Sequence, residues 1–273
     1  MVKFYRPERP VNADPRYIYV KSVFQVSPNL TRITFTADEL KHEPSYWPAC
    51  HIKLMFPLDG QVKPDLPIIR GQGPRWNEGA SKPHLRTFTV VEHRMVEGEI
   101  DVEFATHGDC GPASRFALFA KLGDCIGLSM PGGPKPMFPV YQHYYVAGDA
   151  TALPAISAGL ATLTHHAQGH VYILVPSQDD IQDLVKPQGV EVHWFVGGTE
   201  ARQALIDEFK TLALAAHDAY FWLAGEEQIV TQLRSHIRRS GEYHRDVIYA
   251  IPYWRDGMSE EQYDRPRHAV MDA

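Results

Sequence analysis

The spacing of apolar residues changes once along this chain, near Tyr141, and that change constrains the fold more than any single residue does. Before it, "RYIYVKSVFQV", "LTRITFTA", "CHIKLMFPL", "LRTFTVVEH", "GEIDVEFATH" and "GDCIGLSMP" alternate or run apolar and are separated by turn residues. These segments, with one helical stretch at "GPASRFALFAKL", predict a small antiparallel barrel. Residues 58–83, rich in Pro and Gly, predict a long loop. After Tyr141, "HYYVAGD", "HVYILVPS", "VEVHWFVGG", "AYFWLAGEE" and "DVIYAIPYW" have the composition of strands buried on both faces. Helical segments at "ATALPAISAGLATLTHH", "EARQALIDEFKTLALAA" and "EEQIVTQLRSHIRRS" separate most of them, and "QDDIQDL" predicts at most a turn or two of helix. Strand–helix alternation predicts a parallel, doubly wound sheet. The expected architecture is an N-terminal antiparallel β-barrel over residues 1–140 and a C-terminal α/β doubly wound parallel sheet over 141–273.

Bulk properties narrow the function. Of 273 residues, 44% are hydrophobic and 22% charged, enough to build a packed core. A formal charge of −6 argues against nucleic acid as a partner. No apolar run reaches about 18 residues, and the opening "MVKFYRPERP" has no apolar leader segment, so no membrane partner and a cytoplasmic location are expected. Three cysteines without a C-x-x-C pair leave no ligand set for a zinc ribbon or an iron–sulfur cluster. His165, His166 and His170 lie close together without a matching carboxylate or fourth ligand; they read as a helix end, and no metal site is expected. "RSHIRRSGEYHR" is a basic helix end that the macrodipole favours and that could dock an acidic electron carrier.

Several short motifs remain. In "HLRTFTVVEH" strand alternation puts Arg86 and Phe88 on one face and Thr87 and Thr89 on the other. That pattern suits either an ordinary barrel strand or the wall of a ligand site. "HGDCGPAS" reads as a turn opening a helix. Gly111 and Pro112 leave its first amides available to a pyrophosphate, or it is a plain turn with Ser114 in the first helical turn. Thr151 in "GDATALPAI" suits a helix cap. Glu226 in "WLAGEE" suits either the first turn of a helix or a ligand position on the carboxyl edge of the sheet. No G-x-G-x-x-G fingerprint follows any strand.

A barrel followed by a five-stranded α/β domain resembles the ferredoxin-reductase type. Within it "RTFT", "HGDCGPASRFA", "GDATALPAI", "WLAGEE" and "YWRDGMSEEQYD", in this order, resemble the siderophore-interacting protein family of FAD-containing ferric-siderophore reductases, including the vibriobactin-utilisation type. The resemblance implies an FAD site built from Arg86, Thr87, Phe88, Thr89, His107, Gly111, Pro112, Ala113 and Ser114, with Asp149, Thr151, Glu226 and Trp254 from the second domain. It also implies Lys53, Lys135 and Arg255 around an anionic ferric siderophore. No side chain is expected to act as a nucleophile or acid–base catalyst, since FAD carries the electrons. NADH, NADPH or a ferredoxin would be the donor, and the protein is expected to be a monomer. The chain departs from the family pattern at Phe88 for Tyr, at Ala150 for Glu and at Tyr249 for a basic residue. Two alternatives stay open: a general flavin or ferredoxin reductase, and a redox-inactive siderophore-binding carrier.

Overall fold

The computed structural model describes residues 15–42, 48–70, 73–106, 108, 111–129, 136–240, 243–258 and 260–272, and the chain divides into two compact units, Met1–Met137 and Phe138–Ala273. In the first unit the alternating segments become Arg16–Ser27 (β1), Leu30–Thr36 (β2), His51–Phe56 (β3), His84–Arg94 (β6), Glu99–Ala105 (β7) and Cys125–Ser129 (β8). They close an antiparallel barrel in the order β1-β2-β7-β6-β3-β8, with β8 pairing back onto β1. Alternation decides what faces inward: Ile18, Ile33, Phe35, Ile52, Leu54, Ile100, Val102, Phe104, Ile126 and Leu128 fill the interior. Pro112–Phe119 (α1) adds Phe116, which packs 5.4 Å from Phe56 between ring centroids.

The stretch expected to be a loop, 58–83, holds two short strands, Ile68–Arg70 (β4) and Gly73–Arg75 (β5), paired as a separate ribbon. Three residues each and an exposed Ile68 and Ile69 give them no buried face, so no apolar alternation marks them in the sequence.

The outward face of β7 carries Glu99, Asp101 and Glu103, each under one-tenth exposed. Basic side chains from β1, β2 and β6 cover them. Lys21 pairs with Glu99, Arg32 reaches Glu103 at 2.6 Å, and Arg94 grips Asp101 at 2.7 and 2.9 Å. Thr34 also donates to Asp101 at 2.8 Å. Cys50 and Cys125 are buried free thiols, and burial pushes the Cys50 thiol up to about 12.

The second unit is a five-stranded parallel sheet of His143–Asp149 (β9), Gln168–Val175 (β10), Gly189–Val196 (β11), Ala219–Glu226 (β12) and Ile248–Trp254 (β13). Its order is β11-β10-β9-β12-β13. The central β9 and β12 are buried on both faces, as their unbroken apolar runs predict. Leu153–Leu160 (α2), Thr199–Phe209 (α3) and Glu227–Arg239 (α4) pack on the sheet, and a short 3-10 turn at Gln178–Asp180 replaces a helix between β10 and β11. Both α2 and α3 stop earlier than their sequences predict. Thr162 and Thr211 each turn a hydroxyl onto the carbonyl three residues back, Gly159 and Glu208, at 2.7 Å, competing with the next helical hydrogen bond. A last helix, Glu260–Asp272 (α5), contains Pro266, the residue that hides it from a sequence reading. Among the described residues, no helix is long and apolar enough to cross a membrane.

The covered acids make a pH prediction. Burial alone would raise the Asp101 carboxyl, but Arg94 and Thr34 outweigh it and hold it below its ordinary 3.8. A depressed carboxyl contributes stability that is present above the ordinary value and lost as pH falls through the folded one. Asp101→Asn is therefore expected to cost roughly 1–3 kcal/mol at neutral pH and to flatten the loss of stability below pH ~4, measured by urea denaturation across pH. An unchanged acid limb would show that Asp101 does not set it.

Candidate functional site

In a parallel sheet, ligands bind beyond the carboxyl ends of the strands, where the strand order reverses. Here the reversal lies between β9 and β12: the chain runs outward through β10 and β11 on one side and through β12 and β13 on the other. Asp149 ends β9 and Glu226 ends β12, so the reversal brings two carboxyl groups from distant parts of the sequence together.

Asp149 is 5% exposed and accepts four hydrogen bonds. The Thr151 amide and hydroxyl reach Oδ1 at 2.8 and 2.5 Å, while the Glu226 amide and the Trp254 indole reach Oδ2 at 2.7 and 2.8 Å. Burial pushes this carboxyl above its ordinary range, and the donors pull it back. Gly225 makes the approach possible: its φ is +108°, and a Cβ there would lie 2.7 Å from the Asp149 carboxyl. Thr151 thus serves the strand-end turn through Asp149 rather than capping α2, whose cap position is Ala152.

Glu226 is 1% exposed. Its carboxylate caps α4 by accepting from the Gln228 amide at 2.7 Å, and Arg202 of α3 stands 3.4 Å away. Burial raises this carboxyl too, opposed by the Gln228 amide and Arg202. Arg202, itself nearly buried, also faces Asp256 at 3.5 Å. The sequence reading missed Arg202, which on an amphipathic helix looks like any surface charge. Arg255 is half-exposed and lies 3.8 Å from Glu227.

On the barrel, β6 pairs with β3 so that Arg86 opposes Leu54 and Phe88 opposes Ile52. Leu54 and Ile52 are core residues, so Arg86 and Phe88 share the inward side, and Phe88 packs 4.4 Å from Phe104. Thr87 and Thr89 take the outward side with Lys53 and His51, and Lys53 donates to the Thr87 hydroxyl. Arg86 donates to the Leu85 carbonyl at 2.9 Å. Gly111 stands at the cap of α1, with Pro112, Ala113 and Ser114 forming its first turn. Among the described residues no side chain caps this helix, and none would lie within 4 Å of a Cβ on Gly111. His107 and Lys135 lie outside the described residues. Tyr249 stacks on the buried Trp222 at 5.4 Å, and burial pushes its hydroxyl up to about 12.

Comparison with known proteins decides the family. Residues 19–135 match the family described as "Siderophore-interacting FAD-binding domain", and residues 141–257 match "Siderophore-interacting protein". Ferric vibriobactin reductase ViuB of Vibrio cholerae is 36% identical over 250 residues, covering 90% of this chain and 92% of its own. The chain belongs to the siderophore-interacting protein family. Among solved structures, the siderophore-interacting protein SipS of Aeromonas hydrophila is 43% identical with a TM-score of 0.85, covering 95% of this chain and 99% of its own. The NADPH-dependent ferric-chelate reductase of Escherichia coli is 27% identical over 243 residues, covering 88% of this chain and 92% of its own. This siderophore-interacting protein therefore carries an FAD-binding domain in its first half.

The shared carboxylate predicts coupling. In a double-mutant cycle, Asp149→Asn and Trp254→Phe are expected to be non-additive by about 0.5–3 kcal/mol, read from denaturation midpoints. Additive losses would mean the indole bond contributes nothing to the strand-end cluster.

Proposed function

We propose that this protein is an FAD-dependent reductase that releases iron from a ferric siderophore, of catecholate type, in the cytoplasm and as a monomer. The observation that carries the reading is the 36% identity to a ferric vibriobactin reductase over nine-tenths of the chain, with an FAD-binding domain in the matched region.

The barrel residues fit FAD. The first amides of α1, which no described side chain caps, suit a pyrophosphate, and the Arg86 guanidinium suits a phosphate oxygen. Phe88 supplies an aromatic surface and Thr89 a hydroxyl. Tyr in place of Phe88 would add a hydroxyl contact that this chain lacks. The domain over 1–140 is assigned to FAD and the domain over 141–273 to NADH or NADPH, with Asp149, Thr151, Glu226 and Trp254 shaping the carboxyl edge where the nicotinamide would be received. FAD, when bound, turns the hydride pair of a nicotinamide into the single electrons that Fe(III) accepts.

The side chains bind and orient. Catecholates hold Fe(III) much more tightly than Fe(II), so one electron loosens the complex. Against a net charge of −6, Lys53 supplies local positive charge for the anionic substrate, with Lys135 and Arg255 assigned the same task. Tyr249 brings no charge, and Arg255 lies 3.8 Å from Glu227.

Anaerobic visible spectroscopy tests the reading. Flavin absorbance is expected to bleach with NADH or NADPH and return on adding a ferric catecholate siderophore as a ferrous trap colours. A flavin that ignores both nucleotides would point to a ferredoxin donor, for which the basic end of α4 (His236, Arg238 and Arg239) is the docking candidate. Equal rates with ferric citrate would favour a general reductase, and siderophore binding without flavin would favour a carrier. Arg86→Ala is expected to weaken FAD retention roughly 10- to 100-fold. Lys53→Ala is expected to raise KM for the siderophore about tenfold with kcat largely kept. Unchanged turnover at every substrate concentration would remove Lys53 from the pocket.

A further inference from the structure

Away from the carboxyl edge, β10 and β11 bring together three metal-ligating side chains that are not neighbours in sequence. In the parallel pairing His170 opposes Glu191, and His193 follows Glu191 by two residues on the same face. His170 Nδ1 lies 3.3 Å from His193 Nε2, and the Glu191 carboxylate lies 3.7 and 3.8 Å from these two nitrogens. The sequence reading grouped His170 with His165 and His166, and only the strand register reveals its partners.

We propose that His170, His193 and Glu191 bind one divalent transition-metal ion of the Fe(II)–Zn(II) class. Two imidazole nitrogens on a tetrahedral zinc, each about 2.0–2.1 Å from the ion, stand about 3.3–3.4 Å apart. The observed separation matches this bite. Glu191 is largely exposed, so its carboxylate can close the remaining few tenths of an ångström by side-chain rotation. Two imidazoles and one carboxylate leave coordination positions open to water, a ligand set that also suits Fe(II).

The surroundings hold the ligands in place. His193 stacks on Tyr172 at 4.6 Å, and His170 on Tyr145 at 6.3 Å. The other nitrogen of His193, Nδ1, faces the Glu208 carboxylate of α3 at 3.8 Å, as an outer carboxylate does behind a metal-bound histidine. The site lies toward the amino end of the strands: Tyr145, the β9 partner of His170, precedes Asp149 by four residues, about 13 Å at ~3.3 Å per residue.

The test uses the FAD-loaded protein and reads metal uptake, so it stands or falls separately from the reductase reading. Zn(II), and Fe(II) under anaerobic conditions, are titrated by calorimetry. One equivalent is expected to bind, to be lost in His170→Gln/His193→Gln, and to weaken about 10- to 100-fold in Glu208→Gln. Glu191→Gln, at an exposed position, is expected to weaken it as well. Uptake of Fe(II) would tie the site to the iron the enzyme releases, and uptake of Zn(II) alone would keep the site and remove that link. Undiminished uptake in the double histidine variant, or no stoichiometric uptake of either ion, would overturn the proposal.

Discussion

The carboxyl edge of the parallel sheet depends on one buried carboxylate. Asp149 gathers the turn after β9, the start of α4 and the end of β13, because its four donors come from each of these places. A charge taken out of water is costly unless donors surround it, so the backbone around Asp149 has little freedom. Gly225 is fixed by the same constraint, and Glu226 and Arg202 form a second buried pair beside it. The carboxyl ends of β9 and β12 are therefore lined by groups that hold one another in place.

The barrel is organised differently. Its interior is apolar and rich in phenylalanine, and its buried acids lie outside, covered by Lys21, Arg32 and Arg94. Phe88 joins this aromatic interior while its neighbours Thr87 and Thr89 face outward with Lys53. One strand thus serves both the core and the outer surface.

Much of the fold was legible in the sequence. The segment "HYYVAGD" is β9 to the residue, because a strand buried on both faces announces itself as an unbroken apolar run. The errors have physical causes. β4 and β5 bury nothing, Pro266 disguises α5, and the threonines after α2 and α3 end those helices where propensity alone would extend them. At the site, Asp149, Glu226 and Trp254 were found as separate motifs, yet their convergence on one carboxylate needed the sheet order. Arg202 and the His170–His193 pairing left no local signal, since both depend on contacts between elements.

The buried thiols bear on survival near iron. Ferrous iron and oxygen generate peroxide, which oxidises thiolates far faster than thiols. Cys50 and Cys125 are withdrawn from solvent, and burial disfavours their ionised forms. A protein that handles iron can keep such cysteines because its packing denies oxidants the reactive form.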